Sequence, residues 1–369
     1  MIKILFFIEE LRAGGAEKVL CNLVNHMDQT RFDITVQTLW ACDTEDLLAP
    51  GIRYKYCYRK QTGPARLRNR IETALGLTYP LYIRGDYDIE VAYLECGPTK
   101  VMAASTNKKA KKVAWVHCDL QKKSDNPDAF ARKSGRWYAK YDRVFCVSQN
   151  VRDSFDEMFG TGFPAEVVYN TIDDEEIRKK AQLPSPDQPE KRGLTVVTLG
   201  RLTEQKGYDR LLRAHKSLRD EGILHNLWIL GTGPEKERLE QFIIDNSLQD
   251  SVRLLGFHNN PYPYIREADC LVCSSRYEGY STFITEGLIL GKPSVTTDCT
   301  GMRELLGDSE YGLITENSEE GIREGLRRML TDAGLREQYA QKAAKRGADF
   351  SARSLAMATE ERLEALLRE

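Results

Sequence analysis

The stretch CLVCSSRYEGYSTFITEGLILGKPSVTT, residues 270–297, decides the fold. It begins with an apolar run at residues 270–273, passes through a polar loop into a helix-like segment, and ends in a second apolar run at residues 294–297. A strand, a helix and another strand in this order form the repeating unit of a parallel sheet covered by helices. Apolar runs alternate with amphipathic stretches throughout the chain, which predicts an α/β protein.

The same alternation predicts two domains, as expected for a chain of 369 residues. Predicted strands lie at residues 2–8, 33–40, 89–94, 113–116, 143–147 and 166–168 in the first half, and at residues 194–199, 226–230, 252–255, 270–273 and 294–297 in the second. Three prolines at residues 184–189 cannot continue a helix or occupy a central strand, which indicates a linker. We therefore predict one doubly wound domain at residues 1–185 and another at residues 190–350.

The composition is that of an ordinary globular protein, with 41% hydrophobic and 29% charged residues. No apolar run approaches the ~20 residues that span a bilayer, and no signal peptide follows Met1. We therefore expect a cytoplasmic protein whose nine cysteines are free thiols. Cys270 and Cys273 form a C-x-x-C, but strand residues three apart point to opposite faces, which argues against zinc or redox chemistry.

The first half carries a basic stretch. Between residues 53 and 84 the only acid is Glu72, against eight cations: Arg53, Lys55, Arg59, Lys60, Arg66, Arg68, Arg70 and Arg84. Five tyrosines are interleaved with them, at positions 54, 56, 58, 79 and 82. This composition suits an anionic membrane surface or a phosphorylated acceptor, and it equally suits a solvated face. Nucleic acid is disfavoured, since no recognition motif accompanies the charge.

Gly14 and Gly15 follow the first predicted strand, and a helix-like pattern begins at about Ala16. Amides at a helix N-terminus beyond a strand favour phosphate, although a tight turn explains the two glycines equally well. Arg201 and Lys206 follow the first strand of the second domain. The forked guanidinium and the mobile ammonium suit a diphosphate, and a solvated basic loop is the alternative.

Gly231 and Gly233 follow the next strand of the second domain. Lys236 occupies the place of the third glycine in a dinucleotide-binding fingerprint, so NAD binding is disfavoured.

Glu278 and Glu286 are the most informative pair, with seven residues between them. Glu278 is predicted in the loop after a strand and Glu286 about one turn into the following helix. A ligand at that helix N-terminus could meet both carboxylates and the free amides near residues 281–283. Carboxylates accept hydrogen bonds from vicinal hydroxyls, as in dinucleotide sites. Without further context, such acids more often only complement the helix dipole.

Taken together, the motifs resemble those of retaining glycosyltransferases of family 4, which have the GT-B fold of two Rossmann-like domains around a cleft. The resemblance covers nearly the whole length and is carried, in order, by Gly14-Gly15-Ala16-Glu17, His117, Gly200-Arg201 with Lys206-Gly207, Gly231-Thr232-Gly233-Pro234, Gly256-Phe257, the two glutamates, and Gly291-Lys292-Pro293 with Thr297-Asp298. It implies an acceptor domain completed by a C-terminal helix at residues 351–369, and a nucleotide-sugar donor domain.

The resemblance also implies roles for individual residues. Glu286 would hold the ribose, Glu278 the transferred sugar, and Arg201 and Lys206 the diphosphate, while His117 would contact the sugar from the opposite domain. Catalytic roles are implied for Glu278, His117, Arg201 and Lys206. Donor contacts are implied for Gly14, Gly15, Gly200, Arg201, Lys206, Gly233, Phe257, His258, Glu278, Gly279, Ser281, Thr282, Phe283 and Glu286.

In this family the acceptor is thought to attack the face that the diphosphate is leaving, which implies retention of configuration without a protein nucleophile. The resemblance implies no metal and no cofactor, with a UDP-sugar as donor and a glycan or polyprenyl-linked lipid of cell-envelope synthesis as acceptor. The sequence departs from the family pattern at two places, both near the predicted contacts to the donor. Bulky residues at 280–284 replace the usual small ones, and Glu286-Gly287 replaces the common Glu-Ala.

Other motifs and protein classes fit the sequence less well. Asp86-Tyr87-Asp88 resembles a metal-binding D-x-D, but it precedes a predicted strand instead of following one, so we interpret it as a turn. An epimerase on the same double fold, or a non-catalytic sugar-nucleotide binding protein, would need similar donor contacts. Hydrolases and P-loop enzymes are disfavoured, since the chain has no G-x-S-x-G and residues 287–292 have the wrong spacing for a P-loop.

Overall fold

The computed structural model describes residues 1–11, 14–44, 47–124, 126–185 and 187–369. The chain forms two compact units, one made of Met1–Ile172 with Ala352–Glu369 and the other of Asp173–Ser351. The division therefore falls before the proline-rich segment that the sequence marks as a linker. Pro186, within that segment, lies outside the described residues.

The first unit is a seven-stranded parallel sheet in the order β3-β2-β1-β4-β5-β6-β7. Its strands are β1 (Ile2–Ile8), β2 (Phe32–Trp40), β3 (Arg53–Tyr58), β4 (Ile89–Ala92), β5 (Lys111–Val116), β6 (Arg143–Cys146) and β7 (Ala165–Val167). Its helices are α1 (Gly15–His26), α2 (Gly63–Ala74), α3 (Thr78–Tyr82), α4 (Gly97–Met102), α5 (Leu120–Lys123), α6 (Pro127–Tyr138) and α7 (Gln149–Phe159). The strand order reverses beside β1, which is where open α/β sheets bind ligands.

The second unit is a six-stranded parallel sheet in the order β10-β9-β8-β11-β12-β13. Its strands are β8 (Thr195–Leu199), β9 (Asn226–Leu230), β10 (Val252–Gly256), β11 (Cys270–Cys273), β12 (Ser294–Thr297) and β13 (Leu313–Thr315). Its helices are α8 (Asp174–Ala181), α9 (Tyr208–Asp220), α10 (Lys236–Asp245), α11 (Tyr262–Glu267), α12 (Thr282–Ile289), α13 (Met302–Leu306), α14 (Glu319–Thr331) and α15 (Ala333–Gly347). Two parallel Rossmann-like sheets confirm the predicted α/β class.

Residues 270–297 form β11, α12 and β12, as predicted. Residues 283–289 of α12 are all buried, which explains why this helix has no polar stripe. The strand order of the second sheet reverses between β8 and β11, so the loops that follow these two neighbouring strands meet at the same carboxyl edge.

The last helix, α16 (Ala352–Leu366), belongs to the first unit. It packs on α1, and its Glu360 accepts a hydrogen bond from the Asp28 amide at 2.6 Å. Arg31 also pairs with Glu360 at 3.0 Å and with Glu364 at 2.5 Å. Among the described helices, none is both long and apolar enough to cross a membrane.

Candidate active site

A charged pair lies at the carboxyl edge of the second sheet. Lys206 ends a 3₁₀ turn after β8, and Glu278 lies in the loop after β11. The Lys206 Nζ lies 2.6 Å from Glu278 Oε1, and the Ser275 hydroxyl donates to the same oxygen at 2.5 Å. Burial alone would lower the pKa of Lys206, but the Glu278 carboxylate outweighs it and raises that pKa. The ammonium is therefore charged at neutral pH.

This pair lines a small pocket whose other walls come from the ends of β8 and β11 and from the start of α12. The lining residues are Thr198, Leu199, Lys206, Tyr208, Cys273, Ser274, Ser275, Glu278, Ser281 and Phe283. The structure thus brings together four residues that the sequence analysis selected, at positions 206, 278, 281 and 283. The arrangement offers a cation, a carboxylate and hydroxyl groups to a polar ligand.

The two loops that carry the pair are held closely against each other. Gly207 has a φ of +65°, and a Cβ there would approach the Ser274 carbonyl to 2.2 Å, so glycine is required on both grounds. The Arg210 guanidinium donates to the same carbonyl at 2.7 and 3.0 Å. Gln205 donates to the Tyr277 carbonyl at 3.0 Å. These contacts fix Lys206 relative to Glu278.

The N-terminus of α12 faces the same edge. Ser281 caps it, its hydroxyl accepting from the Ile284 amide at 3.4 Å, while the amides of Thr282 and Phe283 have no carbonyl to bond within the helix. Such amides, with the positive end of the helix dipole, suit an anion. Gly279 lies in the loop just before this cap.

Glu286 lies one turn into α12, as predicted, and is buried. The Tyr262 hydroxyl donates to its Oε1 at 3.2 Å. Burial and the nearby carboxylate raise the pKa of Tyr262, so this phenol is a donor at neutral pH. A buried carboxylate retains acceptor capacity beyond one such bond, which suits recognition of hydroxyl groups.

The Glu286-Gly287 departure has a packing explanation. A Cβ at position 287 would lie 2.3 Å from the Cδ1 of Leu271 on β11. Leu271 therefore fills the space that an alanine at 287 would need. The bulky residues at 280–284 are explained similarly, because Tyr280, Phe283 and Ile284 are all buried.

Glycines also pack the loops after β8 and β9. A Cβ at Gly231 would come within 2.0 Å of the Gly200 carbonyl, and one at Gly233 within 2.3 Å of the Leu202 carbonyl. Arg201, which lies between Gly200 and Leu202 in the loop after β8, is exposed. Arg201 is not among the residues that line the pocket around Lys206 and Glu278.

Phe257 and His258 follow β10, at the same edge of the sheet. The Phe257 ring is half exposed. His258 is held by two contacts, with Nε2 3.0 Å from the Leu255 carbonyl and Nδ1 3.3 Å from the Tyr264 hydroxyl. The aromatic face of Phe257 is thus available for stacking, whereas His258 is fixed within its own loop.

In the first unit, His117 directly follows β5 and is partly buried beside the rings of Tyr93 and Trp115. Its Nε2 has no hydrogen-bond partner among the described residues. Burial lowers the pKa of His117 to about 4, so the imidazole is neutral at physiological pH. A neutral ring with an unpaired buried nitrogen is suited to a polar ligand.

Beneath His117 lies a cluster that the sequence analysis missed. Glu95 accepts from the His117 amide at 3.1 Å and from Lys123 at 2.6 Å. Burial would raise the pKa of Glu95, but the Lys123 ammonium offsets this, and the pKa falls to about 2. The signal was present, since Glu95 follows the buried strand β4 next to the reversal of strand order.

Gly14 and Gly15 lie where the sequence predicts, with α1 beginning at Gly15. The two residues before Gly14, Arg12 and Ala13, lie outside the described residues. A Cβ at Gly14 would approach a carboxylate oxygen of Glu17 to 2.1 Å. The Glu17 carboxylate thus lies over this helix N-terminus. A phosphate there would meet a like charge unless that side chain turned away.

In the described ranges, no group of three or more His, Cys, Asp or Glu residues is arranged to hold a metal ion. Asp88 of the D-x-D accepts a hydrogen bond from the Lys3 amide at 2.8 Å, immediately before β4. The nine cysteines are unpaired.

Three other residues around the pocket also escaped the sequence analysis. Ser275 directly follows β11 and could have been found from its place at a strand end. Tyr262 and Asn317 carry no local signal, because their partners Glu286 and Arg210 are 24 and 107 residues away.

The buried histidines predict a dependence of stability on pH. His215 Nδ1 lies 2.8 Å from His225 Nε2, and burial lowers the pKa of both, as it does for His117. Below the unfolded pKa of about 6.5 the unfolded chain binds protons that the folded chain excludes. Stability should therefore fall as pH decreases from 7.5 to 5.5, by about 1.4 kcal/mol at pH 5.5 for His117, whose folded pKa is about 4, and further for His215 and His225.

Thermal unfolding across this range measures the effect, with His215→Asn as the test variant. That variant should have a shallower slope between pH 7.5 and 5.5, whatever its stability at pH 7.5. An unchanged slope would contradict the assignment to buried histidines.

Comparison with known proteins identifies relatives of each unit. Residues 173–346 match the family model described as glycosyl transferases group 1, and residues 13–176 match that of glycosyltransferase family 4. The two matches meet where the two structural units divide. Together they cover nearly the whole chain.

Curated relatives include the Campylobacter jejuni N-acetylgalactosamine-N,N'-diacetylbacillosaminyl-diphospho-undecaprenol 4-alpha-N-acetylgalactosaminyltransferase, 34% identical over 58% of this chain and 57% of its own. The match therefore spans little more than half of that relative. The amylovoran biosynthesis glycosyltransferase AmsD of Erwinia amylovora is 24% identical over 95% of this chain and 96% of its own.

Solved structures share the fold. The Anabaena protein Alr3699/HepE, in complex with UDP and glucose, superposes with a TM-score of 0.77 at 19% identity, covering 99% of this chain and 100% of its own. Sucrose-phosphate synthase from Thermosynechococcus elongatus gives a TM-score of 0.80 at 15% identity, with 100% of both chains covered. At these identities the likeness concerns the fold alone.

Proposed function

The chain belongs to the GT-B glycosyltransferases of the family 4 and group 1 type, and on that premise we propose that it is a retaining enzyme. It takes a hexose-type sugar from a nucleoside diphosphate sugar, with UDP as the carrier, and transfers it to a glycan or lipid-linked acceptor. The observation that carries the proposal is the Lys206–Glu278 pair, set at the N-terminus of the helix that contains Glu286.

In this proposal each part of the pocket has one task. Glu286 accepts hydrogen bonds from the ribose hydroxyls, and Phe257 stacks on the base. Lys206, with the amides of Thr282 and Phe283, binds the diphosphate. When the phosphate oxygens bind Lys206, the ion pair between Lys206 and Glu278 weakens. Glu278 can then accept hydrogen bonds from hydroxyls of the sugar.

The chemistry then depends on charge stabilisation. As the bond from the sugar C1 to the diphosphate breaks, negative charge develops on the leaving oxygen, which the ammonium of Lys206 and the exposed guanidinium of Arg201 stabilise. The acceptor hydroxyl attacks C1 on the face that the diphosphate leaves, and a diphosphate oxygen takes its proton. Glu278, already paired with a cation and a hydroxyl, positions the sugar and does not act as a base.

Further support concerns the substrates. The Anabaena structure holds UDP and glucose, and the Campylobacter relative is named for a diphospho-undecaprenol acceptor. The Erwinia relative is named for amylovoran biosynthesis. We therefore propose a UDP-sugar donor and a polyprenyl-linked or glycan acceptor of cell-envelope or exopolysaccharide synthesis. No cofactor or metal is required, because two cations of the chain serve the diphosphate.

A panel of UDP, GDP, ADP and CDP sugars tests the donor assignment. A UDP-sugar at about a hundredfold over its Kd should raise the thermal midpoint by about 5 °C, with EDTA present or absent, because binding to the folded state alone stabilises it. The other nucleotides should give smaller shifts. Thermal shift measures this on wild type and on Glu286→Ala, followed by an assay for sugar transfer.

Three results would contradict parts of the proposal. An unchanged shift in Glu286→Ala would contradict the donor site. Activity lost in EDTA and restored only by a divalent ion would contradict metal independence. Conversion of the donor to an isomer, without transfer, would indicate an epimerase.

A further inference from the structure

Helix α2 in the first unit turns its apolar side chains outward. Leu67, Ile71 and Leu75 follow one another at intervals of four residues, so they lie on one face of the helix. They are 59%, 50% and 67% exposed. A surface helix of a globular protein normally buries such a stripe, so the arrangement is reversed.

The apolar face of α2 points outward because the opposite face, which packs against the domain, carries polar side chains that form hydrogen bonds. Glu72 is buried and accepts hydrogen bonds from Arg68, at 2.6 Å, and from the Tyr58 hydroxyl. Thr73 bonds Thr78 at 2.8 Å. These contacts fix the rotation of the helix about its axis. The apolar face is therefore held outward by specific bonds on the opposite face.

The stripe continues into α3 through a defined turn. Gly76 has a φ of +71°, the Leu77 amide bonds the Glu72 carbonyl at 2.8 Å, and the Gly76 amide bonds the Thr73 carbonyl at 3.3 Å. In such a helix ending the residue after the glycine returns beside the last helical turn. Leu77 and Leu81, one turn apart, are also exposed. We call Leu67, Ile71, Leu75, Leu77 and Leu81 the leucine face.

Cations surround the leucine face. Apart from Arg68, which pairs with Glu72, the exposed ones on α2, α3 and the flanking loops are Arg59, Lys60, Arg66, Arg70 and Arg84. None of the ion pairs found within the described residues involves these five side chains. The one acid between residues 53 and 84, Glu72, is buried and already paired. The face is therefore apolar at its centre and positive around it.

We propose that the leucine face is a docking surface for an anionic lipid bilayer, lying in the plane of the membrane interface. Helices of this kind insert apolar side chains at the boundary of headgroups and acyl chains, while flanking Arg and Lys bind anionic lipid. A second copy of this chain fits less well, because a symmetric contact would bring five unpaired cations against five others.

Vesicle flotation with the full chain tests the proposal. Wild type should bind vesicles of phosphatidylcholine with phosphatidylglycerol, bind pure phosphatidylcholine weakly, and lose binding as salt increases. Arg66→Gln/Arg70→Gln should weaken binding roughly twentyfold, since each cation near an anionic surface contributes about fivefold. Leu67→Gln/Ile71→Gln/Leu75→Gln should weaken it at least about tenfold.

The matched control is Leu224→Gln/Ile244→Gln, which removes equally exposed apolar side chains from the second unit and should leave binding unchanged. Thermal midpoint and UDP-sugar shift, measured on the same samples, verify that each variant is folded and keep this test separate from the donor-site proposal. Equal binding of wild type and both test variants would overturn the inference. So would a dimer in sedimentation that the leucine substitutions dissociate, which would indicate a second copy as the occupant.

Discussion

Replacing Lys206 by methionine is expected to lower kcat at least about a hundredfold, because the variant keeps the length of the side chain but loses the charge that meets the leaving diphosphate. KM for the donor should rise as well, since the same ammonium binds the ground-state phosphates. Steady-state kinetics with the donor identified by the nucleotide panel measure both constants. Among the described cations, Lys206 alone is paired with Glu278, at 2.6 Å.

Lys216→Met is the matched control. Lys216 is exposed on α9 and pairs with Asp220 at 2.5 Å, so the same chemical change there should leave kcat unaltered. The double variant Lys206→Met/Glu278→Gln separates stability from catalysis. Removing the lysine alone leaves a buried carboxylate without its cation, and removing both charges relieves that cost. Compared with Lys206→Met, the double variant should be more stable but should not recover kcat. A kcat of Lys206→Met within threefold of wild type would contradict the assigned role.

The sequence predicts the sheets well where strands are buried on both faces. β1 and β11 are continuous apolar runs, and their bounds agree with the predicted ones. β3 was not predicted because it is an edge strand, and edge strands tolerate charged side chains. Its alternation of Arg, Lys and Tyr was therefore interpreted as a basic surface stretch. β13, the other strand that was not predicted, also lies at a sheet edge. What the sequence misses is therefore concentrated at sheet edges.

The sequence predicts which residues belong to the candidate site, but it does not predict which of them contact one another. Glu278 and Glu286 lie where the spacing places them. Lys206 and Glu278 are 72 residues apart, and their contact follows only from β8 and β11 being neighbours, which no local pattern reveals. The dependence of Gly287 on Leu271 is likewise a property of packing between a helix and the strand beneath it. Local sequence patterns therefore identify the chemical groups of the site, whereas the order of the strands in the sheet determines which of these groups are in contact.

Glu286→Gln and Glu278→Gln are expected to separate nucleotide binding from sugar positioning. A hydrogen bond to a charged group contributes about 1.5–3 kcal/mol and one to a neutral group about 0.5–1.5 kcal/mol, so loss of the charge weakens each of the two bonds to ribose hydroxyls by about 1 kcal/mol. Glu286→Gln should therefore raise the Kd of UDP itself at least about tenfold. Glu278→Gln should leave the Kd of UDP within threefold and lower kcat, because UDP carries no sugar for residue 278 to hold. Calorimetry with UDP and kinetics with the UDP-sugar measure the two effects.

Glu240→Gln on α10 is the matched control, since Glu240 is exposed and pairs with Lys236 at 3.4 Å. It should change neither constant. If both test variants weakened UDP equally, the two carboxylates would share one task, and the separation argued from their surroundings would be wrong. Those surroundings differ in kind: Glu278 is held by a cation and a hydroxyl at the pocket, and Glu286 by the phenol of Tyr262 inside the domain. Because Glu278 is paired with Lys206, it can contribute to nucleotide affinity only after that lysine has moved to phosphate.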